Sequence, residues 1–486
     1  MKIKYIIYSL VITGLSLTGC SKFLEVTPRA TVSDDKLFQD EAGFVQALNG
    51  VYAAMSTREL YGDNISMGYL SAVAKNYNIT ATSHRLHKAT IFNYENASQI
   101  KSIWEKSYNA IATLNNILEK MEERKDVFSG NSYNHIRGEV LAIRAYLHFD
   151  LYRMFGKNYQ SHPTAKAIPY RTVYNLKTKV PSTGQEVVEM VLDDLDQAEK
   201  LLTTDEIVGG KEMNRRYHFN YYAVLGLKAR IYNYIQDRVN AVKYARQVVD
   251  SEKFPFVQKV VLETVNEGRK DRMFTSELVF ALRTKDIGKW VDGSVEAKTV
   301  YFRYSNSGPL NFTLTQTEGN YSLLFEKAAN PNDYRYVYLF EQDKKTTGAG
   351  TTKYPSKYWQ TWVQSSGEIG LDRKDQTVPL IRISEMYYIL ANNASTIGEA
   401  LGYLNTVREH RGITKVLTTS DVVHEGLLRD EITKEYQKEF YAEGQTFFWY
   451  KQIGATSIKL YAGTVVPENY VFPIPEAELE YNQNYD

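Results

Sequence analysis

Residues 137–156, RGEVLAIRAYLHFDLYRMFG, decide the fold of this chain. Apolar residues recur along this stretch every three or four positions, which places them on one face of an α-helix. Gly156 follows them, at a position where glycine commonly ends a helix. The stretch therefore predicts a long helix with one apolar face, formed by Ile136, Val140, Ile143, Leu147, Leu151 and Met154.

Two pairs of shorter segments have the spacing of antiparallel helices. The first pair is predicted over 220–236 and 239–250, and the second over 384–394 and 399–408. Each pair is a partial match to a tetratricopeptide repeat, and paired helices bury their apolar faces only by stacking on neighbours. We therefore predict a mostly α fold: tetratricopeptide-like helix pairs forming one compact body, with long irregular loops and a few short strands.

Two further helices are predicted over 183–202 and 425–450. Ser182 or Thr183 precedes the first of them and can cap it, because a hydroxyl oxygen accepts hydrogen bonds from the free N–H groups of the first turn. The second has apolar residues at i+4 steps. Three acidic residues of the first helix are predicted to form a solvated face: Asp193, Asp194 and Asp196.

The first twenty residues contain the only cysteine of the chain. A short basic start precedes an apolar run over 6–17, which is shorter than the roughly 20 residues that a membrane-spanning helix needs. Cys20 follows a Leu-Thr-Gly triplet, the pattern of a bacterial lipoprotein cleavage site. We expect a signal peptide over 1–19, acylation of Cys20 and an extended leader over 20–36. A spanning anchor and an ordinary secreted protein are the alternatives.

Composition excludes some partners and favours others. The 486 residues include 58 basic and 57 acidic ones, and a net charge of +1 leaves no positive excess to bind nucleic acid. The chain has 38 tyrosines against 20 phenylalanines. A tyrosine offers an apolar face and a hydroxyl, which suits sugars or peptides but equally suits the packing of helices and loops.

No catalytic motif is present in the sequence. It has no His-Glu-x-x-His pair, no Gly-x-Ser-x-Gly elbow and no phosphate-binding loop. His84 and His87 have a spacing that could bind a metal, but no clear third ligand accompanies them. We therefore expect neither an enzyme nor a cofactor. A hydrolase with paired carboxylates and a structural calcium site both stay open, because each depends on separations in space.

Several stretches together have the landmarks of one known family. They are KFLEVTP at 22–28, the helix at 137–156, PLIRISEMY at 379–387 with LNTVR at 404–408, Glu435, Glu439, Phe440, Glu443, Gly444, and PIP at 473–475. With these landmarks in this order, the chain resembles the SusD/RagB family of outer-membrane lipoproteins. It departs from many members at 445–451, where QTFFWYK stands after the Glu-Gly pair. That departure leaves the ligand open.

The resemblance implies a function and a partner. Members bind an oligomeric nutrient, usually a glycan and sometimes a peptide, and are not catalytic. They cover a SusC-like TonB-dependent transporter barrel and pass the nutrient to it. The resemblance thus implies an outer-membrane protein, lipid-anchored and facing the cell exterior, with an N-terminal part over 37–270 and a C-terminal part over 271–486 in one unit. A helical scaffold that docks the transporter without a ligand is an alternative.

Two irregular regions have the residue types of a carbohydrate site, namely aromatic faces beside amide, carboxylate or guanidinium groups. They lie within 61–98 and 290–321. Packing of loops is the alternative explanation for each aromatic residue. The candidate ligand-binding residues are Tyr69, Tyr77, Asn78, His84, Arg85, Trp290, Tyr301, Arg303, Tyr304 and Tyr321.

Polar landmark residues have a structural interpretation as well. Arg144 lies inside the predicted helix with no carboxylate three or four residues away, so its ion-pair partner must come from another segment. Glu435, Glu439 and Glu443 repeat at i+4, beside lysines that could pair with them on the helix face. If these groups are buried, we expect them to fix the packing of helices.

Overall fold

The computed structural model describes residues 34–210, 213–291, 301–302, 317–342, 353–361 and 373–485. Helices dominate these residues, which confirms the predicted fold class. They are α1 Asp34–Leu37, α2 Glu41–Met55, α3 Tyr69–Val73, α4 Ser98–Glu123, α5 Ser132–Phe155, α6 Gly184–Leu201, α7 Tyr221–Tyr234, α8 Arg238–Val249, α9 Lys259–Leu262, α10 Gly288–Val291, α11 Glu318–Leu324, α12 Tyr334–Leu339, α13 Ile383–Asn392, α14 Ile397–His410, α15 Glu425–Glu439, α16 Gln445–Ile453 and α17 Glu476–Tyr481.

The strands are short and form antiparallel pairs. In each pair the second strand runs back along the first, and the central pair joins segments almost a hundred residues apart in the chain. This central pair is buried and lies against α7. The pairs are β1 Lys166–Ile168 with β2 Ser182–Thr183, β3 Leu278–Arg283 with β6 Thr377–Arg382, and β4 Phe340–Gln342 with β5 Lys353–Pro355.

Helix α5 lies at the centre of the N-terminal half and ends before Gly156, as predicted. The expectation of a single apolar face is wrong, because α2, α4, α6 and α16 surround the helix and every residue from Gly138 to Phe155 is buried. Its polar residues are therefore paired inside the protein. Arg144 donates two hydrogen bonds to Asp194 of α6, at 2.6 and 2.8 Å, which confirms that its partner comes from another segment.

The solvated acidic face predicted for α6 is only partly correct. Asp193 and Asp196 are exposed, but Asp194 is buried, where it also accepts a hydrogen bond from the Tyr170 hydroxyl at 2.5 Å. Its position on α6 faces α5, and the guanidinium of Arg144 compensates the carboxylate. The helix begins as predicted, with Thr183 as its N-cap in a capping box with Glu186.

The two helix pairs predicted from spacing are α7 with α8 and α13 with α14. They stack on each other, because α13 also lies against α7 and α8. A buried ion pair joins the stack: Arg230 of α7 donates to both oxygens of Glu385 in α13, at 2.6 and 2.7 Å. The stacked pairs thus form a continuous helical body from segments far apart in the chain.

The single helix predicted over 425–450 is wrong. The chain forms α15 and α16 instead, separated by a turn in which Ala442 and Gly444 have positive φ angles of 60° and 77°. Glycine is required at 444, because a Cβ there would lie 2.1 Å from the carbonyl oxygen of Ile65. The turn directs Glu443 inward to Arg382, at 3.0 Å.

The glutamates of this segment are buried and join several elements. Glu439 accepts hydrogen bonds from Arg335 of α12 at 3.0 Å and from Arg411, which follows α14, at 2.9 and 2.6 Å. Glu435 pairs with Arg335 at 2.8 Å and Arg408 at 3.3 Å. The expected pairing along the helix face is a minor part of this network. Its main effect is to fix the packing of α12, α14 and α15.

Candidate ligand-binding groove

An open groove of about 670 Å³ lies where the C-terminal end of α2 meets the end of β3 and the short helix α10. We call it the Trp290 groove. Aromatic, amide and charged side chains alternate around it, so it offers both apolar ring surface and hydrogen-bonding groups. The residues that matter for its chemistry are Asn49, Arg58, Glu59, Tyr217, His218, Arg283, Lys285, Asp286, Lys289 and Trp290.

One wall of the groove is held by a buried carboxylate. Asp63 is fully buried and accepts hydrogen bonds from Arg58 Nε at 3.1 Å, from the Tyr301 hydroxyl at 2.7 Å and from Arg85. We call these four residues the Asp63 cluster. Hydrogen bonds to a charged acceptor are among the stronger ones in proteins. The cluster therefore fixes the loop after α2 against the segment that follows α10.

Ring contacts strengthen the same junction. The indole N–H of Trp290 donates to the carbonyl oxygen of Gly62 at 3.2 Å. The Arg58 guanidinium lies 5.9 Å from the centre of the Trp290 ring, and that of Arg85 lies 5.3 Å from the Tyr301 ring. Cations over aromatic faces at such distances are attracted by the ring quadrupole. The junction is thus built from a tryptophan, a tyrosine and two arginines.

On the opposite side of the groove, Tyr217 is half-buried beneath a cation. The Arg283 guanidinium lies 4.0 Å from the centre of the Tyr217 ring and donates a hydrogen bond to the Arg373 carbonyl at 2.7 Å. Beyond it, the Lys289 ammonium pairs with Asp286 at 3.0 Å, and both side chains are exposed. These groups leave donors and acceptors at the solvent side of the groove.

The floor of the groove is an ion cluster centred on Glu139. Its carboxylate accepts from the Tyr52 hydroxyl at 2.7 Å, pairs with Arg215 at 2.7 Å and contacts His218 Nδ1 at 3.2 Å. Burial raises the pKa of Glu139, but the charge of Arg215 and the contact with His218 outweigh burial and lower this pKa to about 2. The carboxylate therefore stays ionised and holds the floor in place.

The described aromatic residues predicted to bind ligand are all buried, Trp290 and Tyr301 included, and three of them lie away from the groove. Tyr69 contacts Phe472, Tyr321 contacts Phe340, and Tyr77 donates its hydroxyl to the Met67 carbonyl at 2.6 Å. Neighbouring groups cover their ring faces, which is the packing alternative that the sequence left open. Burial raises the pKa of Tyr77 well above its ordinary value, so its hydroxyl stays protonated.

The other described candidates differ in their exposure. His84 is buried, Asn78 is exposed, and Arg85 is half-buried in the Asp63 cluster. The structure brings Arg85, Trp290 and Tyr301 together, although the two predicted regions are about two hundred residues apart in the chain. The candidates Arg303 and Tyr304 lie outside the described residues, as do Cys20 and the expected signal peptide.

Sequence reasoning missed most of the groove. Asp63 had no signal in the sequence, because two of its partners, Arg85 and Tyr301, come from other segments. Tyr217 and His218 precede α7 and lie outside both regions that the sequence predicted for the site. Arg283 and Asp286 lie just before the predicted region at 290–321. A region that began a few residues earlier would have included them.

The described residues contain neither a candidate metal site nor a candidate membrane-spanning helix. Among them, no group of three or more histidine, cysteine, aspartate or glutamate side chains is placed to hold a metal ion. Within the same ranges, no helix combines the length and the apolar character needed to cross a lipid bilayer.

Two family comparisons match separate parts of the chain. Residues 22–233 match a family described as "Starch-binding associating with outer membrane". Residues 291–451 match the family described as "SusD family". Together the two matches cover most of the chain, and they include the helix at 137–156 and the segment with the buried glutamates.

Individual relatives agree with these matches over nearly the whole length. SusD-like protein P2 of Formosa agariphila is 22% identical over 526 residues, covering 98% of this chain and 97% of the relative. A SusD superfamily structure from Bacteroides thetaiotaomicron has a TM-score of 0.69 at 23% identity and covers 92% of this chain and 98% of its own. A SusD-like carbohydrate binding protein from Bacteroides vulgatus has a TM-score of 0.67 at 16% identity, with coverage of 92% and 97%. These structures share the fold, and with the family matches they show that this chain belongs to the SusD family.

Proposed function

We propose that this chain is a nutrient-binding lipoprotein of the outer membrane, anchored through Cys20 and facing the cell exterior. It binds a glycan in the Trp290 groove and delivers oligosaccharides to a SusC-like TonB-dependent transporter barrel. The observation that carries the proposal is the meeting of Arg85, Trp290 and Tyr301 at the Asp63 cluster, beside an open groove of about 670 Å³.

The chemistry of the groove suits a sugar chain. Sugars present C–H surfaces that stack on aromatic rings and hydroxyls that both donate and accept hydrogen bonds. Tyr217 offers the edge of a half-buried ring beside the Arg283 guanidinium, Asn49 an exposed amide, and Asp286 an exposed carboxylate. The rigid floor beneath them reduces the ordering cost of binding, because the wall and floor residues are already fixed by hydrogen bonds.

A peptide ligand is the second candidate, and the charges of the groove favour it. Four basic residues and two acidic ones line the groove: Arg58, Arg283, Lys285, Lys289, Glu59 and Asp286. Positive and negative side chains on one surface can pair with the oppositely charged side chains of a peptide. A neutral glycan would use the same groups only through hydrogen bonds, so the salt dependence of binding distinguishes the two ligands.

A binding panel with a matched pair of variants tests the proposal. The mature protein is run against soluble polysaccharides and peptide mixtures in affinity gels, and each positive is measured by calorimetry. Tyr217→Ala is expected to weaken binding about tenfold, because it removes the half-buried ring from the groove. The control is Tyr338→Ala, which removes a similarly half-buried tyrosine from a separate groove of about 680 Å³.

Each outcome of the panel has a meaning. Retention of one glycan that is lost in Tyr217→Ala but kept in Tyr338→Ala supports the glycan groove. Binding of peptides alone, weakened by salt, supports the second candidate. If no ligand binds but the chain co-purifies with a transporter barrel, the proposal of ligand capture fails and the scaffold alternative stands.

A further inference from the structure

The loop between β1 and β2 exposes an unusual number of apolar residues. Residues 169–181, PYRTVYNLKTKVP, have no helix or strand of their own and connect the two paired strands. Of the sixteen large hydrophobic residues that are exposed in the described part of the chain, four lie within eight consecutive positions of this loop. They are Val173, Tyr174, Leu176 and Val180, and Leu176 is fully exposed.

The loop is held in this shape by its own hydrogen bonds. The guanidinium of Arg171 donates to the carbonyl of Lys177 and, at 2.6 Å, to that of Asn175. The backbone N–H of Arg171 donates to His148 Nε2 of α5 at 2.9 Å, so the base is tied to the buried core. The apolar tip is therefore a fixed projection, and its exposure is a stable feature of the surface.

Charge in the loop has one sign. Its thirteen residues include Arg171, Lys177 and Lys179 and no acidic residue. Two acidic elements adjoin the loop. At its base, Tyr170 donates to the buried Asp194 of α6 at 2.5 Å. Asn482, which follows the acidic helix α17, donates to the Lys179 carbonyl at 2.9 Å, and α17 exposes Leu479 and Tyr481. Apolar side chains flanked by lysine and arginine are typical of segments that enter the headgroup region of a membrane.

The loop also lies on the side where the leader joins the protein. Asn115 of α4 donates to the Arg171 carbonyl at 3.1 Å, and its neighbour Asn116 donates to Asp34 at 3.0 Å. The base of the loop and the start of α1 therefore both contact the same turn of α4. A fully extended chain from Cys20 to Asp34 reaches at most about 50 Å, which keeps an anchored protein near the bilayer.

We propose that the tip of this loop inserts into the headgroup region of the lipid bilayer and orients the anchored protein on it. This rests on the proposed lipid anchor at Cys20, which brings the bilayer to this side of the molecule. A bilayer fits better than a protein partner, because a single projecting tip offers far less than the roughly 800 Å² per partner of a stable protein interface.

The test uses the absence of any second cysteine. A chain starting at residue 20 with Cys20→Ser has no thiol, so Leu176→Cys in this background carries one environment-sensitive fluorophore at the tip. On vesicles of phosphatidylcholine and phosphatidylglycerol, its emission is expected to brighten and shift to the blue. The control is Val265→Cys, at a position 98% exposed in another loop. Emission that does not change at 176, or that changes equally at both positions, overturns the proposal.

A second variant separates insertion from mere proximity. Val173→Ser with Leu176→Ser is expected to lower vesicle co-sedimentation at least about threefold, because it removes apolar surface from the tip. Val265→Ser should leave co-sedimentation unchanged. If the label at 176 responds only when a transporter barrel is present in the vesicles, the tip binds protein and the lipid proposal is wrong. Acylation of Cys20 is measured separately, so failure of the anchor and failure of insertion are distinguishable.

Discussion

The hydroxyl of Tyr301 donates a hydrogen bond to the buried carboxylate of Asp63 at 2.7 Å, joining segments 238 residues apart in the chain. Asp63 lies in the irregular segment after α2, and Tyr301 follows α10. Because Arg58, a second partner of Asp63, lines the Trp290 groove, this bond couples the stability of the groove wall to the packing of the Tyr301 segment. Its removal should therefore affect both the folded state and ligand binding.

Tyr301→Phe is expected to lower the free energy of unfolding by about 1–2 kcal/mol, since it removes a hydrogen bond to a charged group. Asp63 keeps its two arginine partners, which limits the loss. Urea denaturation measures the stability, and calorimetry with the ligand found in the panel measures the binding, which should weaken.

The control for this variant is Tyr358→Phe. The Tyr358 hydroxyl is also buried and donates to the Ala442 carbonyl at 2.9 Å, but it is not part of the groove. Tyr358→Phe should lower the free energy of unfolding by about 1 kcal/mol and leave ligand binding unchanged. Equal losses of affinity in both variants would show that the Asp63 cluster has no special role in the groove.

A substitution in the buried glutamate network should lower stability more than Tyr301→Phe does. Glu439 is fully buried and shared by Arg335, Arg382 and Arg411. Glu439→Gln leaves these guanidinium groups undercompensated in the interior, and breaking a buried pair from one side typically costs 3–5 kcal/mol, so we expect a loss of about that size. Chemical denaturation measures it.

A surface pair provides the comparison for Glu439→Gln. Glu123 pairs with Lys120 at 2.8 Å, and half of its side chain is exposed. Glu123→Gln should change stability by less than about 1 kcal/mol, because exposed ion pairs contribute little. A loss below about 1 kcal/mol in Glu439→Gln as well would contradict the view that this network fixes the packing of α12, α14 and α15.

Much of the fold follows from local spacing. The apolar periodicity at 137–156 predicted α5, and the repeat-like spacing of two further stretches predicted the pairs α7 with α8 and α13 with α14. Spacing did not reveal the break between α15 and α16. The i+4 apolar pattern of the predicted helix ends at Phe440. The turn that follows depends on the close approach of Gly444 to the backbone of Ile65, which is a tertiary contact.

The groove was harder to predict than the fold. Residue type selected Trp290, Tyr301 and Arg85 as candidates, and the structure brings these three residues together. The same criterion also selected Tyr69 and Tyr77, which are buried in the core, as Trp290 and Tyr301 are. Composition alone cannot separate a tyrosine that stacks on a ligand from one that stacks on a neighbour, because both use the same ring face and hydroxyl.

Stability is expected to fall in acid. The pKa values of Glu139 and Glu326 are lowered from an ordinary 4.5 to about 2. Burial raises both pKa values, but neighbouring groups outweigh it. These groups are Arg215 and His218 for Glu139, and Lys438 and Lys434 for Glu326. A lowered folded-state pKa stabilises the protein above pH 4.5, and this stabilisation is lost as the pH falls from about 4.5 to 2. For the fully buried Glu139 the contribution is about 3 kcal/mol.

Thermal unfolding between pH 7 and pH 2 measures this dependence. The wild-type protein should lose stability most steeply below about pH 5. Glu139→Gln should be less stable at pH 7 and should show a shallower decline, because it removes one carboxylate whose pKa is lowered. A decline in Glu139→Gln as steep as in the wild type would mean that other groups account for the acid sensitivity.

The last prediction concerns the anchor. Cys20→Ser removes the only thiol of the chain, and with it the acceptor for acylation after a Leu-Thr-Gly triplet. Several acyl chains on one residue give stable attachment, whereas the body alone should bind a bilayer only reversibly. In cells fed a radiolabelled fatty acid, the wild type should incorporate label and sediment with the outer membrane, and Cys20→Ser should do neither. Ser21→Ala keeps the cysteine and should behave as the wild type. Incorporation of label into Cys20→Ser would exclude Cys20 as the site of attachment.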